Sequence, residues 1–364
     1  MARQSAVHQF LPNFAPRDAV GNHTRVSAAV LAAHGLGGQI WAENINPAIR
    51  REARDYRQYP GRSGVRQARS RLYQASTGSH GMVEQLLRGS EPLAIYYHNI
   101  TPGSFFRPFD QVAAESCERG RQELIRLAPK VKLALAASRY NAQELHQMGI
   151  ADVRVMLPYV GTSDQADIDG VYAEELRSGK EGGLDVLFVG RVVPNKGHAH
   201  LLRVAAALRA GADRPIRFFA VGPPGPDPYL RQLVALRRHL GLEDCFHFTW
   251  SIPQAKLAAH YATADLFLCM SEHEGFGVPL LEAMRSDLPV IAYGQGAVTE
   301  TLAGAGILLG TQEPRIVAET VLRVGSDARL LNALKAGQRV RVAELDAFDR
   351  NQVLLSAMTD LAQR

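Results

Sequence analysis

The feature that most constrains this chain is a repeated exchange between two apolar periods. Short, continuously apolar runs alternate with stretches of helical spacing along almost all of its 364 residues. In the first half the strand candidates are AVHQFLP (6–12), GQIWAE (38–43), LAIYYHN (93–99), VKLALAA (131–137) and VRVMLP (153–158). Helices fit 21–34, 110–127 and 139–148. In the second half the strands are LDVLFVG (184–190), PIRFFAVG (215–222), CFHFT (245–249), DLFLCM (265–270), PVIAY (289–293) and GILL (306–309). Helices there fit 197–210, 227–240, 253–262, 279–286, 297–303 and 313–324, and a last pattern runs from roughly 344 to 363. Apolar strands without polar alternation are buried on both faces, so the sheets are parallel and the fold class is α/β.

Length favours two domains. The polar stretch 161–183 (GTSDQADIDGVYAEELRSGKEGG) shows no apolar periodicity and reads as a linker. It separates a first domain, 1–160, from a second, 184–343. Two doubly wound domains facing each other would form a cleft, with ligands beyond the carboxyl ends of the strands. No apolar run approaches the ~20 residues of a membrane span. The opening MARQSAVHQFLPNF lacks an apolar signal core, which predicts a cytoplasmic protein. Cys117, Cys245 and Cys269 match no metal spacing and fit reduced, buried thiols.

The net charge of +5 is unevenly placed. Between Arg50 and Arg71 stand eight arginines (50, 51, 54, 57, 62, 66, 69 and 71) against Glu52 and Asp55. This segment reads either as a solvated surface or as a contact for anionic lipid head groups or a phosphorylated acceptor. Aromatics are not interleaved with the arginines, which argues against nucleic acid.

Three motifs follow strand ends. His98 closes LAIYY; taken alone, it fits a satisfied structural histidine as well as a site residue. GRVVPNKG (190–197) follows LDVLFV and opens a helix, placing Arg191 and Lys196 on one loop, the second at a helix start with its free N–H groups and positive dipole end. Two cations at a helix start suit a diphosphate; the alternative is two solvated charges. SEHEGFGVPLLEAM (271–284) follows DLFLCM. Its glycines allow close approach to a ligand, and Glu274 and Glu282 flank the turn. Carboxylates of this kind accept hydrogen bonds from a vicinal diol. Alternatively, Glu282 complements the helix dipole from the first turn and Glu274 is solvated. Gly21, opening the first helix in DAVGNH (18–23), could also admit a phosphate. Asp167-Ile168-Asp169 reads as part of the linker rather than a metal site.

Together these residues resemble the family 4 retaining glycosyltransferases of the GT-B fold. The resemblance is strongest from 186 to 309, where FVGRVVPNKG, EHEGFGVPLLE and GQGAVTETLAGAGILL stand in the family's order. DAVGNH, YYHNITPGSFF and ASRYNAQEL are similar to members that build bacterial surface polysaccharides and lipopolysaccharide. The resemblance implies that Arg191 and Lys196 hold the donor diphosphate and that Glu282 binds the nucleotide ribose. Glu274 would face the donor sugar, with Phe276, Gly277 and Val278 lining the turn and Ile252 packing the base. His98 would contact the donor sugar. The C-terminal helix, 344–364, would return to the first domain.

The implied reaction moves a sugar from a nucleotide diphosphate, UDP- or GDP-linked, to a hydroxyl of a glycan or lipid-linked acceptor, with retention and without metal or other cofactor. The place would be the cytoplasm, with a peripheral site at the inner membrane face. Alternatives are a nucleotide-sugar epimerase or phosphorylase, or a non-catalytic nucleotide-sugar-binding protein. Two departures stand out: Gly21-Asn22 where the family often has paired glycines, and Trp250 where it usually has a glycine.

Overall fold

The computed structural model describes residues 6–16, 18–61, 69–160 and 167–363. Contacts divide the chain into two compact units. One comprises Met1–Ser104, Val112–Gly161 and Phe348–Arg364; the other comprises Phe105–Gln111 and Thr162–Ala347.

The first unit is built on a parallel sheet. Its strands are β1 (Ala6–Phe14), β2 (Gly37–Ile45), β3 (Arg54–Asp55), β4 (Arg69–Ala75), β5 (Leu93–Tyr97), β6 (Val131–Ala136) and β7 (Val153–Val155), in the order β3-β2-β1-β4-β5-β6-β7. The helices are α1 (Ala19–Ala33), α2 (Met82–Arg88), α3 (Gln111–Leu127) and α4 (Arg139–Gln147). All five residues of β5 are buried, as expected for a strand covered on both faces.

The second unit has strands β8 (Leu184–Val189), β9 (Ile216–Val221), β10 (Phe246–Trp250), β11 (Leu266–Cys269), β12 (Val290–Tyr293) and β13 (Ile307–Leu309). Their order is β10-β9-β8-β11-β12-β13, all parallel. The direction of winding reverses between β8 and β11, the switch point at which such sheets bind ligands. Its helices are α5 (Gly170–Ser178), α6 (His198–Gly211), α7 (Asp227–His239), α8 (Gln254–Thr263), α9 (Val278–Arg285), α10 (Val298–Leu302), α11 (Pro314–Ser326) and α12 (Ala328–Ala347). One further helix, α13 (Arg350–Gln363), belongs to the first unit. There Leu354, Ala357, Met358 and Leu361 are fully buried with Val7, Leu31, Leu72, Ala94 and Leu133.

Several expectations change. The last arginine of the rich stretch is not at the surface: Arg71 lies in β4 (Arg69–Ala75) and is buried. Its guanidinium donates to the carbonyls of Leu86 (2.9 Å) and Glu91 (2.6 Å), and Nε lies 3.6 Å from the Glu91 carboxylate. Arg50, Arg51, Arg54 and Arg57 are exposed, whereas Arg62 and Arg66 lie outside the described residues. The expected linker holds α5, whose Ala173 and Leu176 are buried. Asp169 is its N-cap, accepting from the Tyr172 N–H at 3.0 Å, so this aspartate has a local backbone role. The single helix expected over 344–363 is two, α12 and α13, parted at Phe348-Asp349. Cys245 and Cys269 are buried and Cys117 is half-buried.

Leu354→Ala should therefore lower unfolding free energy by about 3 kcal/mol, the usual cost of a leucine cavity. Urea unfolding followed through Trp41, buried in the first unit, measures it. A loss below about 1 kcal/mol would contradict the core position given to α13.

Candidate active site

In the second unit the loop 190–197 leaves β8 and crosses toward β11. A single turn of 3-10 helix, Pro194–Lys196, ends at Gly197, whose φ of +71° starts α6. A Cβ at Gly197 would lie 2.2 Å from the Met270 carbonyl oxygen, so only glycine lets the loop rest on the end of β11. Asn195 then joins the two loops. Its side-chain amide donates to the His273 carbonyl (3.2 Å), and its own carbonyl accepts from the Glu272 N–H (2.8 Å). This buried asparagine was absent from the residues chosen by sequence, because its partners lie 77 and 78 positions away.

The loop brings Lys196 to Glu274. Nζ stands 2.6 Å from Oε1, with the side chains 21% and 11% exposed, respectively. Glu274 is held from behind by the loop after β12. There Gly296 (φ +59°) leaves no room for a Cβ beside Glu274, and the Ala297 N–H donates to the Glu274 carbonyl at 2.9 Å. Phe276 is buried, with its carbonyl accepting from the Thr301 hydroxyl. Gly277, at φ +85°, is the N-cap of α9, and Val278 begins the helix half-buried. Because α9 begins at Val278, Glu282 is its fifth residue and lies beyond the first turn. The dipole-complement reading therefore loses its basis, since that effect is confined to the first turn. Glu282 instead accepts from the Tyr261 hydroxyl at 2.8 Å. Burial and this carboxylate push the Tyr261 pKa well above 10, which fixes the phenol as a donor. Arg191 is exposed and Ile252 is half-buried.

Gly21 and His98 are in the first unit. The Gly21 N–H donates to its helix cap, Asp18, at 2.9 Å. A Cβ there would lie 2.8 Å from the Ala15 carbonyl oxygen, so the glycine admits the approaching backbone. His98 sits just beyond β5, with Nε2 2.8 Å from the Gln74 side-chain oxygen. Gln74 in turn donates to Gln9 (2.7 Å), and Gln9 donates to the Thr24 carbonyl (3.1 Å). This relay consumes the amide N–H groups, so Nε2 of His98 is the donor and Nδ1 is left as the acceptor. Burial lowers the His98 pKa to about 3, so the ring is neutral at pH 7. The His23 ring stands edge-on at 5.0 Å.

The backbone after His98 is held in an uncommon conformation. Asn99 has φ +95°, a region open to asparagine but rare for other side chains. Its amide donates to Asn141 (2.8 Å) and Glu144 (3.0 Å). Glu144 also receives the Tyr97 hydroxyl and the Arg121 guanidinium, each at 3.0 Å.

Residues 175–340 match the family described as glycosyl transferases group 1. The 2-deoxystreptamine glucosyltransferase of Streptomyces kanamyceticus is 30% identical over 253 residues, covering 68% of this chain and 62% of that protein. A D-inositol 3-phosphate glycosyltransferase of Kineococcus radiotolerans is 34% identical over 206 residues, covering 53% and 46%, respectively. The chain thus spans between 46% and 62% of the length of these curated relatives. The Anabaena HepE structure, solved with UDP and glucose, matches with a TM-score of 0.70 at 16% identity, over 98% of this chain and 100% of that one. What it shares is the fold: two parallel sheets with flanking helices, the GT-B type of α/β architecture.

In the second unit, His198 opens α6 and is fully buried; burial and the Lys196 charge lower its pKa to about 3. His98, and His260 at about 4, behave alike. The unfolded chain takes up protons on these rings below about pH 6.5, while the folded protein does so only near pH 3 to 4. Stability should therefore be fully present above pH 6.5 and fall as pH drops through that window. Thermal unfolding between pH 7.5 and 5 checks this, and His198→Leu should flatten the slope; a wild-type melting temperature independent of pH would contradict it.

Proposed function

We propose that this protein transfers a sugar from a nucleoside diphosphate sugar to a hydroxyl, with retention and without a metal ion. The observation that carries the reading is the Lys196–Glu274 pair at 2.6 Å, beside the start of α6 and the carboxyl ends of β8 and β11. In this reading Arg191, Lys196 and the α6 N-terminus receive the diphosphate. Glu274 faces the transferred sugar, supported by the Phe276–Val278 turn. Glu282, oriented by Tyr261, accepts from the ribose hydroxyls, and Ile252 packs the base. Neutral His98 offers Nδ1 to a donor-sugar hydroxyl.

The reaction breaks the bond between the anomeric carbon and the diphosphate oxygen. The acceptor oxygen bonds to the same face of that carbon, and the acceptor proton passes to the leaving phosphate. Negative charge grows on the diphosphate, where fixed cations help most; one such contact is worth ~3 kcal/mol. UDP and glucose bound to HepE, and the glucosyltransferase activity named for the Streptomyces relative, support a hexose donor. The acceptor is a glycan or lipid-linked hydroxyl. Exposed Arg50, Arg51, Arg54 and Arg57 suit peripheral contact with an anionic membrane face in the cytoplasm. Among the described residues no helix is long and apolar enough to cross a membrane.

Calorimetry with UDP, GDP and ADP tests the donor assignment. One of them should bind, and Glu282→Ala should weaken it at least tenfold, the scale of one lost charge-assisted hydrogen bond. Arg191→Ala and Lys196→Ala should abolish sugar transfer from the matching radiolabelled nucleotide sugar, whereas EDTA should leave wild-type transfer intact. Unchanged turnover in both variants would remove the diphosphate assignment, and loss of activity in EDTA would remove the metal-free mechanism.

A further inference from the structure

Trp250 ends β10 in a conformation that suits glycine. Its φ is +56°, in the left-handed region, where a bulky side chain carries strain. The strand is bulged at this point. Pairing with β9 passes from Phe248–Ala220 to Trp250–Val221, placing two steps on one strand against one on the other. Bulges near ligand sites redirect side chains. The indole does not turn into the core. It is 38% exposed and stacks on Phe248 with ring centroids 5.4 Å apart and planes 14° apart. The position thus combines backbone strain with an incompletely covered aromatic ring.

The backbone ties this ring to the loop bearing Arg191 and Lys196. The Trp250 carbonyl accepts from the Gly222 N–H at 3.0 Å. Gly222 in turn lies against the start of the cation loop: a Cβ there would be 2.1 Å from the Gly190 carbonyl oxygen and 3.2 Å from the Arg191 nitrogen. Trp250, Gly222 and Gly190 therefore form one continuous backbone contact on the carboxyl edge of β10, β9 and β8. A ligand whose diphosphate lies on the cation loop has two ends, and Glu274 faces the sugar end. The other end carries the one flat aromatic group, the nucleobase.

We propose that Trp250 is the stacking platform for that base, with Phe248 backing the indole and the strained, bulged backbone aiming it. Stacking uses the π-face that every base has, so Trp250 sets affinity for the nucleoside end more than the choice of base. The inference rests on the donor reading above and extends it to an aromatic side chain outside the cation and carboxylate loops.

The chain contains two tryptophans, and the other, Trp41, is buried in the first unit, so Trp250 is the one open to a ligand. Wild-type protein, Trp250→Phe, Trp250→Ala and Trp250→Gly would be titrated with UDP, GDP, ADP and inorganic pyrophosphate by fluorescence and calorimetry. The nucleotide that binds should quench wild-type emission, and the quench should vanish in Trp250→Phe while most of the affinity stays. Trp250→Ala and Trp250→Gly should bind it about tenfold or more weakly, with pyrophosphate affinity unchanged. Trp250→Gly relieves the left-handed strain, so its melting temperature should match or exceed that of the wild type, which separates lost stacking from lost folding. If calorimetry finds a bound nucleotide but emission is unmoved and Trp250→Gly keeps full affinity, the stacking role is overturned and the donor reading stands. If no nucleotide binds the wild type, the donor reading fails and this inference fails with it.

Discussion

The contact between the α carbon of Gly197 and the carbonyl of Met270 governs the second unit's ligand edge. It lets the loop after β8 lie on the end of β11 with backbone against backbone, at a distance no side chain would permit. Asn195 then fastens the loops by two hydrogen bonds. Lys196 and Glu274, 78 positions apart, thereby become neighbours. Support continues outward: the loop after β12 grips Glu274 from behind, and α12 braces α9. Gln338 of α12 accepts from the Val290 N–H and donates to the Leu288 carbonyl, each at 2.9 Å. The cation and the carboxylate belong to different loops, but the backbone between them is nearly continuous.

The first unit solves a different problem, that of holding polar groups away from water. Gln9, Gln74 and His98 are satisfied in series, as buried polar groups must be to avoid a desolvation penalty. A neutral imidazole fits this setting better than a charged one. The Asn99–Glu144–Arg121 network fixes the turn that follows, so the His98 loop is specified by α3 and α4 as well as by the strand it leaves.

How much of this could be read from the sequence depends on where each signal lay. β8 and β11 were legible because VLFV and LFLC are apolar without interruption, and the motifs after them follow directly. β4 was not, because Ser70, Arg71 and Gln74 look like surface residues yet are buried; Arg71 donates to the carbonyls of Leu86 and Glu91, and Gln74 donates to the Gln9 side chain. α12 escaped notice because only Gln338 and Leu345 of its 20 residues are buried, which leaves no apolar stripe to detect. Lys196 and Glu274 were chosen from their motifs, but their pairing was not, and Tyr261 was missed because its partner Glu282 is on another helix. Trp250 stood out as an unusual residue; its backbone angle was invisible until the fold was known.

The placement of α13 has a consequence for the order in which the protein can be made. Leu354, Met358 and Leu361 complete a core layer that includes Val7, yet they follow the whole of the second unit in the sequence. During synthesis the chain emerges from its N-terminal end, so the first sheet must wait with one greasy face uncovered. The second unit has almost all its residues in one contiguous stretch and can condense in the meantime. The unit that starts first is therefore the last to close, and its exposed layer of Leu72, Ala94, Leu133 and Leu135 is the surface a chaperone would meet on the nascent chain.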